Sequence, residues 1–213
     1  MVEWFCRLAD IPGVGYIGRS DIQRSSLPGY NAIPKIVTYT YDEKQSESLM
    51  WPTSEGETSS SPAKVHGFFI SDDHKESPQA MLQRVYEALE LPGEATDYHF
   101  IMQVCITALW KSRSRQQDAL FLQHLEQLCW LDIQLIEAKP EAITYDQNGT
   151  QQYFNVSAFD HLIRLYEREG FLHEAFEVAQ RAAKFYPDMK LYAQLRQRLG
   201  QLEAEDNAGH TAV

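Results

Sequence analysis

Two kinds of hydrophobic pattern divide the chain near residue 75. Before that point, short runs of aromatic and β-branched residues are bounded by Pro and Gly, as strands are bounded by turns. After it, apolar residues recur every three or four positions, as they do on the buried face of a helix. The sequence therefore predicts a mainly α, α+β protein, with a strand-containing region over 1–75 and a helical domain over 76–204.

Four runs in the N-terminal region predict strands, over 2–8, 14–17, 35–41 and 65–70. The run at 35–41 is the clearest, because its residues alternate between two faces. Residues 42–62 are rich in Ser, Glu and Thr. Burial of so few large apolar groups cannot offset the entropy of ordering them, so this segment is predicted to be a mobile loop.

Helix boundaries after residue 75 are marked by capping residues. Ser77 is a suitable N-cap and Pro78 a suitable first helical residue. Asp97 predicts the cap of a second helix, and a third runs from 116 to 139. Residues 141–156 form a connector with a turn and a small hairpin.

Two short helices follow this connector. Ser157 opens the first with a capping pattern that ends on Asp160, and Gly170 ends it. The second spans 172–185, and Pro187 closes the unit. Neither helix is able to bury its apolar face alone, so the two are predicted to pack together.

This unit, at residues 156–187, resembles a tetratricopeptide repeat. Residues at the family's characteristic positions are Phe159, Leu162, Tyr166, Gly170, Ala175, Ala182 and Pro187. The chain departs from the family where Ile163 replaces a glycine and Ala179 replaces an aromatic. No good second copy occurs at a 34-residue period. Residues 189–202 predict a terminal capping helix, and 205–213 a flexible tail.

The resemblance implies that the first helix lines a concave surface that receives a peptide. The implied partner-binding residues are Ser157, Asp160, His161, Arg164, Glu167 and Arg168. They carry charges of both signs, and equally form a solvated face with i, i+4 pairs. The Lys and Asn set with which some members of the family hold a carboxylate is not matched.

Composition and charge narrow the classes of function. Among the 213 residues, 30 acidic and 19 basic side chains give a formal net charge of −11. That balance argues against nucleic-acid and anionic-membrane partners. Three widely spaced cysteines, no signal-like N-terminus and no long apolar run predict a cytoplasmic protein without disulfides.

No motif predicts catalysis, a cofactor or a metal. The spacing of Gly13, Gly15 and Gly18 matches a dinucleotide-binding loop, but no helical pattern follows it, so a glycine-rich turn between short strands is favoured. The seven histidines form no metal-binding pattern. A compact basic cluster, Lys111 with Arg113 and Arg115, is explained by the macrodipole of a helix C-terminus or by an acidic ligand.

The leading prediction is a non-catalytic interaction or scaffold module that binds a protein or peptide through the helical groove. One alternative is an enzyme or small-ligand-binding protein whose site lies where the N-terminal strands meet the helices. Its candidate residues are Tyr16, Arg19, Tyr39, Tyr41, Asp72 and His74. Another alternative is a structural subunit that is stable only within a homo- or hetero-oligomer, since an incomplete repeat array leaves an apolar end to cover.

Overall fold

A computed structural model describes residues 6–41, 44–67, 76–112, 119–147, 149–187, 190 and 193–201. The chain divides into two compact units, Met1–Phe154 and Asn155–Val213. The first unit therefore includes both the strands and several of the helices. The domain boundary predicted at residue 75 adjoins residues outside the described part and stays a prediction.

The fold is α+β and mainly α, which confirms the predicted class. The helices are α1 (Pro62–Gly67), α2 (Pro78–Leu89), α3 (Ala95–Ser112), α4 (Ala119–Ala138), α5 (Ser157–Glu169) and α6 (Leu172–Ala182). The strands are β1 (Lys35–Tyr41), β2 (Lys44–Thr53), β3 (Gly56–Thr58), β4 (Thr144–Gln147) and β5 (Thr150–Tyr153). Residues 193–201 are also helical, within the predicted capping helix.

Three antiparallel strands form the N-terminal sheet, in the order β1-β2-β3. Strand β1 coincides with the predicted run at 35–41. The loop predicted over 42–62 is wrong for residues 44–53 and 56–58, which form β2 and β3. Trp51 and Leu49 of β2 are buried and hold one end of the sheet against the core.

The other predicted N-terminal strands are corrected by the structure. Residues 14–17 form no strand, and Val65 lies in α1. Cys6 makes an isolated antiparallel bridge with Gly93, and a 3₁₀ turn follows at Leu8–Asp10. Residues 1–5 and 68–70 of the remaining predictions lie outside the described residues.

The glycine-rich segment packs on helices and does not join strands. The backbone N–H of Gly15 donates to Oε1 of Gln134 in α4 at 2.9 Å. Val14 and Tyr16 are buried while Ile17 is exposed. A Cβ on Gly18 would lie 2.8 Å from Oε2 of Glu90, so the absent side chain is what permits this close approach.

The start of α2 agrees with the cap predicted from the sequence, whereas the start of α3 differs from it. The Oγ of Ser77 accepts from the Ala80 N–H, as expected for the N-cap of α2. Helix α3 begins at Ala95, two residues before the predicted cap. Asp97 lies in its first turn, and its carboxylate accepts from the Glu94 N–H and from the Ser61 hydroxyl.

Helices α2, α3 and α4 provide most of the core of the first unit. Fully buried side chains there include Tyr86, Leu89, Tyr98, Ile101, Met102, Ile106, Leu125 and Leu128. The Tyr98 hydroxyl is 2.6 Å from the Leu91 carbonyl oxygen and 2.7 Å from that of Cys6. It thereby ties the N-terminal segment to the end of α2. After α4, strands β4 and β5 form the predicted hairpin, with Gly149 at a φ of +77° in its turn.

Candidate functional site

The second unit is built around the helical hairpin of α5 and α6. Gly170 has a φ of +86°, and the Phe171 N–H donates to the Tyr166 carbonyl at 2.8 Å. This left-handed residue ends α5 and reverses the chain, as the sequence predicts. Helix α5 begins at Ser157, but its N-cap is Val156 and makes no side-chain capping bond. The capping role predicted for Ser157 is therefore wrong.

Small and aromatic side chains fill the space between the two helices. Ala175, Ala179 and Ala182 of α6 are fully buried. Their short side chains let the helix backbones approach closely. Phe159 of α5 is also buried, 6.1 Å from the ring of Phe185, measured between centroids. These contacts confirm that the two helices pack together, as predicted from their apolar faces.

An open pocket of about 460 Å³ lies at the end of the hairpin where α5 begins. Its lining residues are Asn155, Val156, Phe159, Asp160, Phe185, Tyr186 and Pro187. The Val156 N–H donates to the Tyr186 hydroxyl at 3.2 Å, which fixes the Tyr186 side chain in the wall. Phe159 and Tyr186 meet edge to face. Asp160 is the charged residue of the lining.

The lining combines aromatic side chains with one carboxylate. Aromatic faces carry negative potential and attract cations, and a carboxylate beside them strengthens that attraction. A Lys or Arg side chain also has an apolar stem that is able to lie along the rings. The pocket is thus suited to a basic side chain flanked by apolar groups.

The six partner-binding residues predicted from the sequence lie on one side of α5, and the Ser157 hydroxyl oxygen and Nδ1 of His161 on that side are buried. Arg164 and Arg168 are exposed, whereas Ser157, Asp160, His161 and Glu167 are half-buried. Of these, Asp160 lies in the wall of the pocket. The structure therefore places the predicted residues on one helix face, with one end of that face at the pocket.

The charged residues on this side of α5 differ in whether they form ion pairs. Glu167 pairs with Arg198 of the segment 193–201, and Arg168 pairs with its neighbour Glu169 at 2.7 Å. Asp160 and Arg164 have no ion pair within the described part of the chain. A negative group at the pocket and a positive group one turn away are thus the charges that remain available to a ligand.

Sequence reasoning missed the aromatic part of the pocket. Phe185 and Tyr186 follow α6, which ends at Ala182 and not at the predicted residue 185. They lie in a turn, where the sequence has no helical period from which the direction of a side chain is predictable. The available signal was the aromatic pair directly before Pro187, the residue that closes the unit.

The alternative site at the strand–helix junction is assembled in part. Tyr16 and Arg19 meet at Glu90, whose Oε1 accepts from the Tyr16 hydroxyl at 2.8 Å and from the Arg19 N–H at 2.9 Å. Arg24 pairs with the other carboxylate oxygen at 2.7 Å. Burial, followed by the hydrogen bond to Glu90, raises the pKa of Tyr16. Both carboxylate oxygens of Glu90 thus already have partners within the protein, which indicates a structural role for this residue.

The other residues of that alternative do not join this cluster within the described structure. Tyr39 is exposed on β1. Asp72 and His74 lie outside the described residues, as does the side chain of Tyr41. The prediction of a ligand site there consequently stays a prediction.

Tyr86 and His124 extend the polar region around Arg19. The Arg19 guanidinium lies over the Tyr86 ring, 4.6 Å from its centroid. The Tyr86 hydroxyl is 2.9 Å from Nδ1 of His124 and donates to Gln127 at 3.0 Å. Burial, assisted by the charge of Arg19, lowers the pKa of His124. Arg19 itself is paired with both carboxylate oxygens of Asp21, at 2.9 and 2.7 Å.

Four further titratable groups of the first unit are buried in its core. His99 and Asp132 form a fully buried pair with 2.7 Å between Nδ1 and Oδ1. Cys105 and Cys129 are buried thiols, as predicted; burial raises the pKa of Cys105 to about 12 and that of Cys129 well above its usual value. Such thiols are poor nucleophiles. The described residues contain no cluster of three or more His, Cys, Asp or Glu arranged to hold a metal ion.

Comparison with protein-family models, with curated proteins and with solved structures finds no match to this chain. The likeness to a tetratricopeptide repeat therefore rests on residues 156–187 themselves. Within the described segments, no helix is both long and apolar enough to cross a lipid bilayer.

Proposed function

We propose that this chain is a non-catalytic interaction module that binds an extended segment of a partner protein along the line of Asp160, Arg164 and Arg168 on α5. A Lys or Arg side chain of the partner occupies the pocket beside Asp160. The observation that carries the proposal is the open aromatic pocket with a carboxylate in its wall, at one end of the predicted binding face.

The spacing of the charged residues along α5 indicates which charges the partner segment should carry, and how far apart. Asp160, Arg164 and Arg168 are four residues apart, so they follow one another along the same side of the helix. At about 1.5 Å per residue, Asp160 and Arg168 are about 12 Å apart along the axis. An extended peptide covers that length in about four residues. The favoured segment therefore carries a basic residue and, about four positions away, an acidic one.

Existing contacts do not prevent this binding. The Arg168–Glu169 pair is a surface ion pair with both side chains about half exposed. Such pairs contribute little to stability, so Arg168 is able to exchange Glu169 for a carboxylate of the partner at small cost. The Glu167–Arg198 pair, in contrast, joins α5 to the following helical segment and stays in place.

Titration of the isotopically labelled full chain with defined peptides tests the proposal by NMR. The probe is a short peptide with one lysine and one glutamate about four positions apart. A second peptide, with norleucine in place of lysine, keeps the apolar stem and removes the charge. We expect shifts at Asn155, Asp160 and Tyr186 with the first peptide only.

Two variants locate the binding face. Asp160→Asn is expected to weaken binding about fivefold to tenfold, because it removes the charge and leaves the shape. Arg168→Glu is expected to weaken binding about threefold to tenfold, because it repels the acidic residue that the spacing places beside Arg168. Glu177→Gln, at an exposed position of α6, makes the same change in net charge as Asp160→Asn and serves as its control. Equal affinity of all variants, or equal weakening by Glu177→Gln, would contradict the proposal.

A further inference from the structure

The N-terminal sheet contains a two-stranded ribbon on which no described residue builds a core on either face. Residues 37–41 of β1 pair with 44–48 of β2, and β3 pairs only with 51–53. The described side chains of this ribbon are all exposed or half-buried. Ile36 at its base and Tyr39 within it are 51% and 46% exposed.

A ribbon of this kind is incomplete as a structure in water. Isolated two-stranded hairpins are marginally stable, and a third strand or a covering element is generally required. Strand β1 is the edge of the sheet, so alternate backbone N–H and C=O groups along it point away from β2. No strand of the described residues pairs with this edge, so its backbone groups are open to a further strand.

The composition of the edge identifies the strand that fits it. Residues 35–41 contain no acidic residue, and their single charge, Lys35, is paired with Glu57. Copies of a chain with a net charge of −11 repel one another over most of their surface. The acid-free edge of β1 is a place where two copies approach with little repulsion.

The edge is also complementary to itself. An antiparallel pair centred on Thr38 places Val37 opposite Tyr39 of the second copy, and Ile36 opposite Thr40. Aromatic with β-branched residues, and Thr with Thr, are favourable cross-strand pairs. The opposite edge of the ribbon, at 44–48, is polar and carries Glu47, so it offers no comparable pairing.

We propose that β1 pairs with β1 of a second copy of this chain, antiparallel about Thr38, and forms one continuous sheet across a two-fold axis. The two ribbons then support each other, and the β1 edge of each sheet is covered. The interaction resembles the strand addition by which many sheets bind an extended partner. It is independent of the pocket in the second unit.

Sedimentation velocity of the full chain over a concentration series tests the pairing. We expect a reversible monomer–dimer equilibrium. Thr38→Glu places two like charges opposite each other on the axis, and is expected to weaken the dimer about fivefold or more. Ser46→Glu adds the same charge at an exposed position of β2 and is expected to leave the dimer nearly unchanged. A monomer at every concentration, or a dimer that Thr38→Glu does not affect, would overturn the proposal.

A cross-link reports the register directly. Residues directly opposite in an antiparallel pair have Cα atoms about 4.5–5.5 Å apart, within the range of a disulfide. In a Cys6→Ser background, Thr38→Cys should give a covalent dimer under mild oxidation. Thr40→Cys should not, since residue 40 faces residue 36 of the second copy. Equal cross-linking of the two variants would exclude this register. A dimer that does not cross-link at position 38 would form through a surface other than β1, and would overturn the proposal.

Discussion

A buried His–Asp pair joins α3 to α4 in the core of the first unit. His99 Nδ1 lies 2.7 Å from Asp132 Oδ1, and both side chains are fully buried. Nε2 of His99 and Oδ2 of Asp132 have no hydrogen-bond partner within the described structure. Burial raises the pKa of Asp132, and the hydrogen bond from His99 opposes that effect. The desolvation of these polar atoms therefore offsets much of what the pair contributes to stability.

Removing one partner of this pair should be far more damaging than removing both. Asp132→Leu leaves His99 buried without its partner, and should lower the free energy of unfolding by about 3 kcal/mol. The double variant His99→Phe with Asp132→Leu should return to within about 1 kcal/mol of the original chain, because no unpaired polar group remains. Urea unfolding of the single and double variants measures this. Additive losses in the double variant would contradict it.

Protonation of His124 should destabilise the chain in mild acid. Its pKa is lowered from the ordinary value of 6.5 by burial and by Arg19, so the unfolded chain binds a proton that the folded chain resists. Stability is accordingly full above about pH 6.5 and falls as the pH decreases through the lowered pKa.

The His124→Gln variant isolates this contribution. It removes the titration while keeping a hydrogen-bonding group near Tyr86, so its stability should depend less on pH than that of the original chain. Unfolding free energies at about pH 7.5 and pH 5.5 give the comparison. His173→Gln, at an exposed position of α6, is the control and should leave the pH dependence unchanged.

The end of α5 depends on one glycine. Gly170 has a φ of +86° and no atom within 4 Å of the position where a Cβ would lie. Gly170→Ala should therefore cost about 1–2 kcal/mol through backbone strain alone. Gly200 likewise has no neighbour within 4 Å, but it lies in the helical segment 193–201 without a positive φ. Gly200→Ala should instead stabilise the helix by about 0.5–1 kcal/mol.

Thermal unfolding compares the two substitutions. Both add a single methyl group in the second unit, so any general effect of the change is shared by them. A loss of stability with Gly200→Ala as large as that with Gly170→Ala would show that backbone conformation at Gly170 is not the cause.

Elements were predictable from the sequence where a few neighbouring residues determine the local conformation and the rest of the fold accommodates it. The Ser77 cap of α2, the alternation in β1 and the glycine turn after α5 all act within a few residues. The small residues of α6 likewise predict close packing, because each lies on the face toward α5. The mainly α class and the hairpin at 156–187 follow from these local features.

Elements defined by distant partners were not predictable. Strand β2 begins with the polar run 44–48, since that part of the ribbon buries neither face, and its pairing with β1 determines its conformation. The segment 14–17 has strand-like composition, but its backbone bonds to Gln134, far away in the sequence. The pocket likewise needs Phe185 and Tyr186, whose positions follow from a turn and not from a periodic pattern. Of the pocket lining, Phe159, Asp160 and Pro187 were singled out from the sequence, whereas the aromatic side of Phe185 and Tyr186 was not.

The chain as a whole contains two compact units, each with its own buried residues. The first, Met1–Phe154, is centred on α2, α3 and α4, and the second, Asn155–Val213, on α5 and α6. Cooperative units of this kind open with their own free energies, which native-state hydrogen exchange resolves along the chain. We therefore expect two stability levels and not one.

Substitutions in one unit should act mainly on that unit. Asp132→Leu should accelerate amide exchange in α3 and α4, and Gly170→Ala should do so in α5 and α6, with little effect of either change on the other unit. Hydrogen exchange of the two variants is measured under identical conditions. Each variant then serves as the control for the other, because the unit that one substitution destabilises should be unaffected in the other variant. If either substitution accelerated exchange equally throughout the described helices, the chain would unfold as one cooperative body. The binding surface proposed on α5 would then be coupled to the core of the first unit, and Asp132→Leu would weaken the proposed peptide binding as well.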